Sequence, residues 1–93
     1  MDMVSFQATF AALNQSGVEF LLTDLDVAMT FMDVAAASHI QATIRRNHNN
    51  ARKAYDSTLQ LLEKLTPNGR QRQEIETKLA VVKARLKAVG QEF

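Results

Sequence analysis

The chain has no cysteine, no tryptophan, one proline and three glycines in 93 residues. Without cysteine there are no disulfides, no thiolate nucleophile and no Cys-ligated zinc, which suits a reducing cytoplasm. So little Gly and Pro argues against a turn-rich all-β fold and for helices. The glycines stand far apart, at 17, 69 and 90, so no Gly-rich phosphate loop exists. The N-terminus lacks a basic secretory n-region; Asp2 stands where Lys or Arg would be needed. The most apolar stretch, 18–37, holds Glu19, Asp24, Asp26 and Asp33, which are costly in lipid. It therefore reads as a buried helix and not as a membrane span.

Positive charge is absent from the front of the chain. Residues 1–38 carry only acids, a formal −5, and every one of the 11 Lys and Arg residues follows. Residues 39–93 carry a formal +6, so a net charge of +1 conceals an acidic front and a basic back. If the two halves fold together, opposite fields meet within one molecule or between two copies.

Hydrophobic spacing is helical throughout. Met3, Phe6, Phe10 and Leu13 recur at steps of three and four, and Gly17 reads as a stop, giving a short N-terminal helix within 1–17. In 18–37, Leu21, Leu25, Ala28, Met32 and Ala35 form one stripe, widened by Leu22, Met29 and Ala36. Val27, Phe31 and Val34 lie on the other side. A helix apolar nearly all round needs contacts on more than one side, from its own later helices or from a second copy.

A third segment, 39–65, keeps one phase through Ile40, Ile44, Asn47, Ala51, Ala54, Thr58, Leu61 and Leu65. It is either one long helix or a pair broken at the Asn-rich turn 47–50, because Asn forms helix poorly. Thr66-Pro67-Asn68-Gly69 is the clearest punctuation. Thr66 as cap with Pro67 at the first position is one way to start the next helix; an Asn-Gly turn delaying it to about Arg70 is the other. The last segment, 68–89, repeats Ile75, Leu79, Val82, Leu86 and Val89 in steps of four and three, with Glu74 and Lys78 at i,i+4, and Gly90 ends it. A 3.5-residue repeat and short connections predict antiparallel neighbours crossing near +20°. The expected fold is an all-α, antiparallel three-helix bundle with a short extra N-terminal helix, in one domain.

Within 39–65, Ala51-x-x-Ala54-Tyr55-x-x-x-Leu59-x-x-Leu62 resembles the second helix of a tetratricopeptide-type hairpin. With Glu74-Ile75-x-x-Lys78-x-x-x-Val82-x-x-Arg85, residues 25–89 also resemble the three-helix MIT domain of trafficking proteins. The run Asn50 to Asp56 is similar to a helix of small uncharacterised bacterial helical proteins. The departures are plain: Pro67 comes about a turn late for the tetratricopeptide pattern, segment 18–37 lacks its Trp-Leu-Gly-Tyr signature, there is a single copy, and 38–50 is longer than the MIT connection. The resemblance implies a helical hairpin, a third helix and a peptide-binding groove.

Chemistry-bearing constellations are few. His39 and His48 are too far apart on a continuous helix to share a metal, nearly ~14 Å at ~1.5 Å per residue. Asp26 and Asp33 share a helix side but stand two turns apart, too far for paired acid–base work. Ser5, Ser16, Ser38 and Ser57 have no His-acid constellation beside them in sequence. No catalytic, cofactor or metal site is expected. Two surfaces are candidates. The face with Lys78, Val81 and Arg85 suits an acidic amphipathic peptide. The cations Arg45, Arg46, Arg52 and Lys53, interleaved with Asn, suit phosphate and base edges, although they scatter around a helix and the chain is not strongly basic. The expected function is a non-catalytic protein-interaction or scaffold module, acting on a protein or peptide through a groove or on itself as a homodimer. The alternative is a nucleic-acid-associated protein.

Overall fold

The computed structural model describes residues 3–93, with side chains from Ser5 onward. Among the described residues there are three helices and no strand: α1 Met3–Ala37, α2 Gln41–Leu62 and α3 Gly69–Ala88. The bundle is antiparallel between consecutive helices, as the short connections predict, so α3 returns parallel to α1. The hydrogen bonds fix this register. Asn14 meets Thr66 at one end, Gln15 meets Gln71 beside it, and Arg85 reaches the Met29 carbonyl further up.

Each helix buries a 3.5-residue stripe. On α1 these are Val18, Leu21, Leu25, Ala28, Met32 and Ala35; on α3, Ile75, Leu79, Val82 and Leu86. On α2, Asn47, Ala51, Ala54, Tyr55 and Thr58 are buried. The small Ala51 and Ala54 let α1 come close, and α1–α2 is the most extensive of the three interfaces. The α2 helix runs unbroken through 47–50. Asn47 is tolerated in the core because its side-chain amide donates to the Thr43 carbonyl at 2.8 Å, satisfying itself within the helix.

The structure corrects the expected front of the chain. No separate N-terminal helix forms; α1 continues through Gly17 for 35 residues. Gly17 is not a stop because its φ is not positive; among the described residues only Gly90, at +97°, takes that conformation. Gly17 is instead a place of close approach: a Cβ there would lie 2.6 Å from Leu65 Cδ2. The α2–α3 connection thus crosses α1 at Gly17. It is tied down by Asn14, whose Oδ1 accepts from the Thr66 N–H at 2.7 Å and whose Nδ2 donates to the Thr66 carbonyl at 3.2 Å.

The remaining ends follow local chemistry. Asn68, and not Thr66, caps α3, in a reciprocal box with Gln71 at 2.8 and 2.9 Å. At the other end the Gln91 N–H reaches the Leu86 carbonyl and the Gly90 N–H the Lys87 carbonyl, a Schellman closure that needs the positive φ of Gly90. Val89, expected in the stripe, falls outside the helix and is exposed. The start of α2 is poorly finished: Ile40 occupies the cap position, exposed and without a side-chain hydrogen bond to the helix.

Because α1 outruns its partners, the molecule is long, 57 × 21 × 18 Å. Residues 3–13 of α1 extend past the level at which Thr66 meets Asn14. At the base of this arm, Lys64 and Leu65 of the α2–α3 connection lie against Phe10, Leu13 and Asn14.

Candidate interaction surface

The acidic and basic halves meet inside one copy. Lys78 pairs with Asp26, and Arg85 Nη2 lies 2.8 Å from Asp33 Oδ1. Both pairs are one heptad apart on each helix, as parallel α1 and α3 require. The face expected to receive an acidic peptide is therefore already lined by an acidic helix of the same chain. Lys78 and Arg85 do share a seam, but their charges are met there, and Val81 alone of the three is exposed to solvent. The expected Glu74–Lys78 pair does not form, because the Lys78 ammonium reaches across to α1 instead.

The four cations of α2 divide. Arg45, Arg46 and Lys53 line one open hollow of the solvent face with Asn49 and Asn50. Their side chains make no ion pair or hydrogen bond among the described residues. Arg52 is turned the other way and is fully occupied. Its Nε bonds Asp56 Oδ1 at 3.1 Å, and its Nη1 bonds the Glu92 carbonyl at 2.8 Å and Gln91 Oε1 at 3.2 Å. Its guanidinium also stacks 3.9 Å over the Phe93 ring. Phe93 in turn meets Tyr55 edge-on, with centroids 5.3 Å apart. Arg52 is thus a clasp that holds the C-terminal segment on α2, and its place in a phosphate-binding set is lost. Asp56 stands at i,i+4 and was legible in the sequence; the other partners lie about 40 residues downstream in a segment without periodicity, and sequence reasoning missed them.

No titratable cluster suggests chemistry. Among the described residues no three His, Cys, Asp or Glu side chains gather as metal ligands. His39 is exposed; His48 is half-buried beside Arg85. The Asp24 carboxyl is pushed up from its ordinary pKa by burial.

The most unusual surface is the outer seam of α1. Phe6, Phe10, Leu13, Gly17, Phe20, Asp24, Val27, Phe31 and Val34 follow one another in steps of four and three, a second heptad stripe beside the buried one. Of its large apolar side chains, Phe31 packs against the core, and at Gly17 the seam is crossed by Leu65. Phe6, Phe10, Leu13 and Phe20 are between 54% and 66% exposed, and Val27 and Val34 are also open. The first part of this seam carries no charge at all: between Asp2 and Glu19 there is no ionisable side chain. Near the base of the arm, Phe10, Leu13, Asn14, Lys64 and Leu65 enclose a mostly apolar notch of about 110 Å³. The sequence carries this signal in two pieces, Phe6, Phe10 and Leu13 before Gly17 and Val27, Phe31 and Val34 after it, which a helix continuous through Gly17 joins.

Among the described residues no helix is long and apolar enough to cross a membrane. The chain matches no family model, no curated protein and no solved structure.

Proposed function

We propose that the protein is a non-catalytic interaction module whose working surface is the outer seam of α1. One observation carries this: Phe6, Phe10 and Leu13 stand more than half exposed along one line of a stretch without ionisable side chains, and Phe20 continues that line beyond Glu19. Soluble surfaces hold scattered apolar residues, whereas contiguous rows of this kind are normally covered by a partner. Aromatic anchors with few charges are also what the centre of a protein interface contains. The tetratricopeptide-like and MIT-like spacing of α2 is compatible with this role, with one relocation: the groove face of α3 holds α1, so partner binding moves to α1.

The test is photocrosslinking. A photoreactive phenylalanine at Phe10 should crosslink a protein, and the same group at exposed Gln60 on α2 should not. If position 10 yields no adduct in cells or with purified protein, the interaction role is wrong.

A second reading rests on Arg45, Arg46 and Lys53, unpaired on one face with Asn49 and Asn50. Three cations suit weak, salt-sensitive contact with a phosphate backbone. No retention of duplex DNA or RNA on the protein at low salt would end it.

A further inference from the structure

We infer that the occupant of the α1 seam is a second copy of this chain, docked antiparallel, arm against arm. The inference rests on the interaction role just proposed for that seam.

Three features favour self-association over a foreign partner. First, the arm carries both a projection and its receptor. Phe6 stands 58% exposed toward the N-terminal side, and the notch bounded by Phe10, Leu13 and Leu65 lies toward the body. In an antiparallel pair that sets Phe10 opposite the partner's Leu13, the same heptad sets Phe6 opposite the partner's Gly17. That is where Leu65 crosses, so each Phe6 enters the other copy's notch. A two-fold axis makes the exchange reciprocal, as an isologous interface demands. The size is suitable: an apolar cavity of ~150 Å³ accepts benzene, and this open notch of about 110 Å³ takes most of a ring.

Second, the arm has no charge from residue 3 to 18. Two copies of a charged stripe repel each other, whereas two copies of this one do not. The same absence argues against a membrane surface, since α1 carries no Lys or Arg to meet anionic lipid. It also gives a foreign helix no charge by which to be chosen.

Third, the apolar area is of the right order. Phe6, Phe10 and Leu13 are each more than half exposed. At roughly 200 Å² for a large side chain, they offer on the order of 350 Å² per copy. Two copies bring about 700 Å² together before the flanking backbone and polar residues are counted, at the low end of interfaces that associate reversibly.

The experiment uses the full 93-residue chain. Sedimentation equilibrium across a concentration series should show monomer and dimer only, and Phe10→Glu should weaken the dimer at least 100-fold. Far-UV circular dichroism below the dissociation constant should match wild type, since Phe10 is exposed in the monomer. Phe6→Ala should weaken it about 10-fold. Orientation is read separately. A spin label on Thr23→Cys, the only cysteine then present, should report a distance near 35 Å across the dimer, from ~1.5 Å per residue. A parallel pair would bring the two labels within about 20 Å and would overturn the proposed docking. A protein that stays monomeric at every concentration overturns self-association altogether. In that case a crosslink from position 10 to another protein leaves the interaction role standing, and the absence of any crosslink removes both.

Discussion

Gly17 separates two physical accounts of the front of this chain, and a double-mutant cycle with Leu65 tells them apart. A glycine that ends a helix holds a positive φ, and alanine there is strained. A glycine inside a helix costs about 1 kcal/mol relative to alanine, because its unfolded state is freer. Gly17 is of the second kind. Alanine should therefore stabilise, except that its Cβ would meet Leu65 Cδ2 at 2.6 Å and Cδ1 at 3.2 Å. Ordinary carbon contacts begin near ~3.5 Å. Leu65 must rotate away, and an off-rotamer χ costs roughly 0.5–1.5 kcal/mol before any lost burial. The two effects cancel, so Gly17→Ala should change stability by less than about 0.5 kcal/mol. In a Leu65→Ala background the obstruction is gone, and the same substitution should stabilise by about 1 kcal/mol, or about 4–8 °C in Tm for a domain of this size. Urea and thermal unfolding would be followed by circular dichroism, with all four proteins carrying Phe10→Glu so that self-association does not enter. A stabilisation of the same size in both backgrounds would refute the close approach of Leu65. A loss in both would restore Gly17 as a helix end.

The other predictions concern single groups. The Thr58 hydroxyl is buried without a hydrogen-bond partner. Thr58→Val removes that penalty while nearly keeping shape, and should raise stability by about 0.5–1.5 kcal/mol in urea unfolding. Ile40→Asp supplies the side-chain cap that α2 lacks, and should add about 0.5–1.5 kcal/mol, measured the same way. Burial raises the folded pKa of Asp24, so its charged form is disfavoured by folding. The penalty is full above the raised pKa and absent below the unfolded value. Asp24→Asn should thus stabilise modestly at neutral pH, with the gain vanishing as pH falls through the carboxylate range. High salt should weaken the monomer slightly by screening Lys78–Asp26 and Arg85–Asp33, and should leave arm-to-arm dimerisation undiminished. A dimer that dissociates with added salt would place its contact elsewhere.

Much of this architecture is legible in the sequence, because it depends on periodicity. Leu21, Leu25, Ala28, Met32 and Ala35 are the buried line of α1, and Ile75, Leu79, Val82 and Leu86 that of α3; both were visible as 3.5-residue repeats. What stayed hidden was anything that a second element decides. The three glycines look alike in a sequence. Whether one stops a helix, as at Gly90, or admits a crossing chain, as at Gly17, depends on whether Leu65 stands against it. Thr66, Pro67 and Asn68 each carry a legitimate start signal, and Asn68 prevails because Gln71 completes the reciprocal box. Thr66 is drawn off instead by Asn14, a contact 52 residues away. The candidate surface suffered most. Lys78 and Arg85 look available in sequence, but Asp26 and Asp33 are remote and only folding brings them together; Arg52 has Asp56 at i,i+4, while its C-terminal partners are equally remote.

The charge division and the bare arm are two consequences of one arrangement. Because α3 runs parallel to α1, the spacing of Lys78 and Arg85 repeats that of Asp26 and Asp33, and the opposite fields close within a single copy. That closure extends only as far as α3 does. Its first turn lies beside Gln15, where Gln71 makes a neutral contact at 3.2 Å. Below that level α1 meets only the α2–α3 connection, with Lys64 and Leu65 beside Phe10 and Leu13, and α1 itself carries no charge between residues 3 and 18. The surface that remains there is Phe6, Phe10 and Leu13 on an isolated helix. An isolated helix of that length is marginal in water without a packed face. The arm is therefore the part of the chain whose order depends most on being covered. A second arm covers it while adding no unpaired charge to either copy.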